Sequence, residues 1–256
     1  VPGESAGGSS VKTTNHLFWA AIRGLTRDAF SAHTEKMSDA ASQNEPLPRE
    51  PVFNNAPAIV LWLGLAIAGV TALQLLGPPR LEDWLLRSGA IVTGYEQPPR
   101  PLGGFAPYIL HVFIHGGFLH LAMNLAALAA FGPPVARDLG RGLTGGVWFL
   151  AFFFLCGLAG GLAQQVSSLQ PGLALGASSA ISGLLPAAGY ARGGWRGAAR
   201  LGAPWLVINL VLIGVDLTLG APIAWAAHLG GLAAGWLAYP ALSRITGAPS
   251  SRNVTV

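Results

Sequence analysis

Two groups of polar residues lie inside long apolar stretches, and their types are those of nucleophilic catalysis. The first is His111-x3-His115-x4-His120-x3-Asn124, within the run 108–131. The second is Gly176-Ala177-Ser178-Ser179-Ala180-Ile181-Ser182-Gly183, followed fifty residues after Ser178 by His228-Leu229-Gly230-Gly231. Ionisable and strongly polar groups within membrane-length segments are costly and mark function by default. A serine hydroxyl is a weak nucleophile until a neighbouring base takes its proton. His228 has the chemistry to take that proton from Ser178 and to return it to a leaving amine. Asp216 falls at the end of an apolar segment, and no acid sits in the body of one. The arrangement therefore reads as a Ser–His dyad, not a triad. Acyl transfer also needs donors for the oxyanion of the tetrahedral intermediate. The backbone N–H of Ser178, the Asn124 amide and an N–H of His120 are the candidates. His111 and His115 are expected nearer the surface, holding water or supporting an outer loop.

The elements that must position these residues are membrane spans. The chain is 52% hydrophobic and 10% charged, with a mean hydropathy of +0.49, where soluble domains carry roughly 25% charged residues. The class is an all-α polytopic membrane protein. A helix needs about 20 residues to cross the hydrocarbon core, which places six spans near 57–77, 109–131, 147–166, 176–192, 201–217 and 221–242. The formal net charge of +4 comes without a basic stripe interleaved with aromatics, so nucleic acid is not an expected partner. The single cysteine, Cys156, excludes an intrachain disulfide framework.

Residues 1–56 have the composition of a polar tail, with Gly-Gly-Ser-Ser early and Pro46, Pro48 and Pro51 late. Residues 17–30 could form a short amphipathic helix. Met37-Ser38-Asp39 looks like a natural start, so residues 1–36 are expected to be an upstream extension. Residues 243–256 form a short C-terminal tail. With the N-terminus inside, the cytoplasmic segments hold twelve Lys and Arg against three outside, or eight against three without residues 1–36. The positive-inside rule then puts both termini in the cytoplasm. The 78–108 connection faces out, and its 81–86 stretch is expected to be structured at the interface with Trp84 as anchor.

In this layout Ser178, His228, His120 and Asn124 share one depth, a few ångströms to about 15 Å below the outer surface by helix rise. Small residues allow the fourth and sixth spans to touch: Gly176 and Ala180, Ser179 and Gly183, and Gly231-x3-Gly235. Pro186 should kink the fourth span. Asn209, in the fifth, reads as an interhelical hydrogen-bond partner. Trp62, Trp148, Trp205, Trp225 and Trp236 read as interface anchors or packing.

At these residues the chain resembles the rhomboid family of intramembrane serine proteases. The matching pieces are His115-x4-His120-x3-Asn124, Gly176-Ala177-Ser178, and Ala227-His228-x2-Gly231-x3-Gly235, in that order, over about residues 57–242. The resemblance implies a six-transmembrane-helix rhomboid-like bundle. It implies Ser178 as nucleophile, His228 as base, and His120 and Asn124 lining the oxyanion hole, with no cofactor. The implied substrates are transmembrane proteins, cut in or near their spans within the lipid bilayer. Three positions depart from the family pattern. Ser179 follows the serine where many members have glycine, and Ala106-Pro107 stands where many carry Trp-Arg. Ser182 occupies a place where an aromatic often packs on the histidine.

Other readings weigh against a protease. Ser178 alone could be a small packing residue, and His115, His120 and His228 could supply zinc-type nitrogens, although no cysteine or carboxylate completes such a set. A transporter would need a polar route through the inner halves of the spans, and none is written there. A catalytically silent rhomboid-like protein that binds transmembrane segments, as chaperone or assembly subunit, is the nearest alternative. The compartment expected by default is a bacterial inner membrane, because residues 1–36 contain acidic residues, unlike a mitochondrial transit peptide.

Overall fold

A computed structural model describes residues 56–94, 99–167, 172–219 and 223–247. The tail expected over 1–56, with its short helix at 17–30, lies outside the described residues except for its last position. So does the C-terminal tail from residue 248 onward.

The first helix, α1 (Ala58–Leu76), carries apolar residues on every side. Val60, Leu63 and Ile67 face inward, while Leu61, Trp62 and Leu65 stay exposed. A helix apolar all round belongs in lipid or deep in a core. Its span was expected at 57–77. The next helix, α2 (Pro79–Gly89), is amphipathic, opening on a proline with Glu82 in its first turn and Arg87 in its last. It contains the 81–86 stretch that was expected to be structured. Strand β1 (Ile91–Thr93) follows, and then α3 (Ala106–Leu110), which tightens into a 3₁₀ turn at His111–Phe113.

Ile114 is extended and Gly117 has φ +144°. Helix α4 (Phe118–Asp138) starts only there. The span expected at 109–131 is therefore corrected. It is a short helix, a 3₁₀ turn, a glycine link and then a long helix. The cause is Gly116-Gly117, whose second member adopts a φ that side chains avoid. At its other end α4 runs through Pro133 and Pro134 instead of stopping before them. Inside a bilayer the backbone has few partners other than itself, which favours continuing the helix.

Helix α5 (Gly142–Ser167) begins five residues earlier than expected. Strand β2 (Gly172–Ala174) pairs antiparallel with β1, Ile91 opposite Ala174 and Thr93 opposite Gly172. This small ladder, unforeseen in an all-helical reading, holds the link before Ser178 against the 91–93 segment. Helix α6 (Ser178–Leu219) is broken at Gly193 and Gly194, the latter at φ +56°. Pro186 does not break it, because the backbone angles there stay helical. Helix α7 (Trp225–Ile245) closes the described fold. Among the described residues, α1, α4, α5 and α6 are each long and apolar enough to cross a membrane.

The core lies where α5, α6 and α7 meet. Phe149, Phe152, Phe153 and Cys156 of α5 pack with Ala180, Ile181, Leu184 and Ala187 of α6 and Tyr239 of α7. The Tyr239 hydroxyl donates to Asp138 at the end of α4, 2.6 Å away. The expected small-residue contacts are present as backbone approaches. A Cβ on Gly231 would strike the Ser179 carbonyl, and one on Gly235 would strike the Gly183 backbone. Neither obstacle is a flexible side chain, so neither can yield cheaply.

Gly235→Val should force α6 and α7 apart and lower stability by about 1–3 kcal/mol. Thermal unfolding in detergent should show a reduced midpoint, and an unchanged midpoint would mean that the contact yields.

Candidate active site

Ser178 is the first residue of α6, placed there by a left-handed turn. Gly176 has φ +106°, and its N–H donates to the His111 carbonyl at 2.9 Å. A Cβ at Gly176 would lie 2.9 Å from Nε2 of His120. The glycine thus lets the His120 ring lie against the serine turn. His228 sits in the first turn of α7, which is tied to α5 there: the Ala227 N–H donates to Oε1 of Gln164 at 3.1 Å.

The two residues meet directly. Ser178 Oγ lies 2.9 Å from Nε2 of His228. The other imidazole nitrogen, Nδ1, is 3.0 Å from Oδ1 of Asn209, in the second arm of α6. The Asn209 amide donates to the Trp205 carbonyl at 2.8 Å. The Trp205 indole donates to Ser182 Oγ at 2.8 Å, and Ser182 donates to the Ser178 carbonyl at 2.7 Å. The Trp205 ring also packs against His228 in a tilted arrangement, with centroids 5.4 Å apart and planes at 46°.

The upstream histidines, expected to hold water or support an outer loop, are buried: His111 and His115 are 2% and 0% exposed. His111 Nδ1 donates to the Pro107 carbonyl at 3.0 Å, because a carbonyl only accepts. Its Nε2 is then an acceptor and receives the Ser179 hydroxyl at 2.9 Å. His115 Nε2 receives the Ala177 N–H at 3.4 Å, and its Nδ1 faces Thr71 Oγ1 at 2.9 Å. Thr71 passes its own proton to the Phe113 carbonyl. Gln74 grips the His115 backbone at both ends, accepting from its N–H at 3.0 Å and donating to its carbonyl at 2.9 Å. These histidines anchor the serine turn to α1 and to the 3₁₀ turn. With both His115 nitrogens engaged, His115, His120 and His228 do not converge as a metal set, and no such group of three occurs among the described residues.

His120 and Asn124 fall on one face of α4. The Gly116 N–H approaches His120 Nδ1 at 3.4 Å, which leaves the imidazole proton on Nε2, the atom beside the serine turn. The Asn124 amide donates to the His120 carbonyl at 2.8 Å, and its buried Oδ1 has no partner among the described residues. Gly231 completes the set at the contact of α7 with Ser179. Thr71 and Gln74 were missed in the sequence, although two polar side chains three apart in an apolar span were a usable signal. Asn209 was foreseen as an interhelical partner, but not that it bonds to His228. Trp205 was read with the anchors and packing residues, whereas its ring covers the imidazole.

A family model described as Rhomboid domain matches residues 103–245, more than half of the chain. The rhomboid protease GluP of Bacillus subtilis (strain 168) is 33% identical over 184 residues, which cover 71% of this chain and 34% of that protein. RHOMBOID-like protein 7 of Arabidopsis thaliana is 30% identical over 166 residues, covering 64% of this chain and 49% of that protein. The chain thus matches half or less of the length of these relatives.

Gln74→Leu keeps the side-chain bulk and removes both bonds to the His115 backbone. The orphaned groups should cost about 1–3 kcal/mol. A denaturant or thermal midpoint equal to that of the parent protein would show that Gln74 does not hold this link.

Proposed function

The chain belongs to the rhomboid family, and we propose that it is an integral membrane serine endopeptidase that hydrolyses peptide bonds in or near the transmembrane segments of other proteins. The observation that carries this reading is the 2.9 Å approach of Ser178 Oγ to His228 Nε2. That is within hydrogen-bond reach of a nucleophile and its base.

In the proposed reaction His228 accepts the Ser178 proton as Oγ attacks the scissile carbonyl. The acyl-enzyme forms as the imidazolium gives its proton to the leaving amine, and water then releases the acyl group by the same exchange. The oxyanion is met by the Ser178 N–H, by the Nε2–H of His120 and by the Asn124 amide. The two arms of α6, counted separately and joined by α1, α4, α5 and α7, give six spans. The distribution of arginines and lysines then favours both termini in the cytoplasm and the site toward the outer face, in a bacterial inner membrane. The relative named as a protease supports the activity.

The departures at Ser179, Ser182 and Ala106-Pro107 are each absorbed by a hydrogen bond here. Ser179 reaches His111, Ser182 reaches Trp205, and the Pro107 carbonyl accepts from His111. None of the three takes a partner away from Ser178 or His228.

Purified protein in liposomes should cleave a transmembrane reporter, and Ser178→Ala or His228→Ala should abolish cleavage while leaving the protein folded. Asn124→Ala should slow it by roughly 10²–10³-fold, the effect of losing one oxyanion donor. Cleavage that survives Ser178→Ala would overturn the mechanism. Folded parent protein that binds the reporter without cutting it would point instead to a silent member serving as chaperone or assembly subunit.

A further inference from the structure

The bonds around Ser178 form a closed ring. Ser178 Oγ donates to His228, His228 Nδ1 to Asn209, Asn209 to the Trp205 carbonyl, the Trp205 indole to Ser182, and Ser182 to the Ser178 carbonyl. Three links in this ring have a fixed sense. An indole N–H can only donate, and a backbone carbonyl can only accept. The Trp205 carbonyl therefore draws the NH₂ of Asn209 toward itself and turns Oδ1 toward His228. An amide oxygen has no proton to give, so Nδ1 of His228 must carry the hydrogen. The lone pair is then on Nε2, facing Ser178.

We propose that Asn209 and Trp205 are the positioning residues of this site, which works as a Ser178–His228–Asn209 chain capped by an indole; the inference rests on the Ser178–His228 reading above. Asn209 supplies what a buried carboxylate supplies in other serine hydrolases, namely one imidazole tautomer and one ring orientation. A neutral amide does so without burying an unpaired charge among apolar helices. Asn209 is 0% exposed, so its hold on His228 is shielded from competing water. Trp205 is one helical turn before Asn209, so the two act on His228 from the same face of the second arm. Its ring, 5.4 Å away, lies within the range at which an aromatic face attracts a cation. That attraction grows as His228 takes the proton. Ser182 belongs to the same device, since its small side chain accepts the indole N–H and passes its own hydrogen back to the nucleophile's carbonyl.

The test measures the tautomer of His228 by ¹⁵N NMR of histidine-labelled protein in micelles, with the signal assigned by its loss in His228→Gln. The resting parent protein should show Nδ1–H with Nε2 unprotonated. Asn209→Leu should release the ring into a mixture of tautomers and lower kcat and fluorophosphonate labelling of Ser178 by about 10- to 100-fold, with KM little changed. Asn209→Asp, whose oxygen still accepts from Nδ1, should restore the tautomer and part of the rate. An Nε2–H tautomer in the parent protein would overturn the proposal, and so would a folded Asn209→Leu protein of unchanged kcat. If Asn209→Leu fails to fold, the parent tautomer still decides. Loss of the protease reading shows separately, as cleavage by Ser178→Ala, and leaves the tautomer result intact.

Discussion

A buried polar group in an apolar bundle must find its partner within the protein, and the architecture around Ser178 follows from that constraint. Lipid offers no donor or acceptor to a stray histidine. His111, His115 and His228 each have both ring nitrogens engaged by protein atoms. The partners come from α1, from α3, from the serine turn and from both arms of α6. The serine turn is thereby tied to elements remote in sequence, and its geometry is set by bonds that are costly to break. Apolar packing brings the helices together, while the polar links decide which rotation and depth each helix adopts.

The result is two Ser–His pairs side by side with different fates. Ser179 and His111 are bonded at 2.9 Å, as are Ser178 and His228. Ser179 is 1% exposed and His111 2%, whereas Ser178 and His228 are both only partly buried. The inner pair has the bond without access and acts as a structural clamp. The other pair has the bond and is partly exposed. Glycine provides the close contact in both cases, since Gly231 admits α7 against the Ser179 carbonyl and Gly176 admits His120 against the turn.

Much of this was legible in the sequence because it rests on local pattern. The first span was placed to within a residue at each end, and Ser178, His228, His120 and Asn124 were singled out by type and spacing. What escaped depended on geometry that spacing does not encode. His111-x3-His115-x4-His120 has the periodicity of one helix, yet Gly117 breaks the chain before His120 and sends the first two histidines inward. Gly193 and Gly194, in the gap between the spans expected at 176–192 and 201–217, are where the chain passes from one arm of α6 to the other. Ser182 read as the loss of an aromatic from the imidazole face. The indole of Trp205, 23 residues downstream, packs there instead, an exchange visible only once the two arms of α6 fold together.

Mapping a fluorophosphonate adduct by peptide mass spectrometry tests the central claim most directly, because Ser178 and Ser179 are adjacent and both bonded to histidine. The structure predicts an adduct on Ser178 alone, lost in His228→Ala and retained in Ser179→Ala. An adduct on Ser179, or labelling of Ser178 that does not depend on His228, would contradict it.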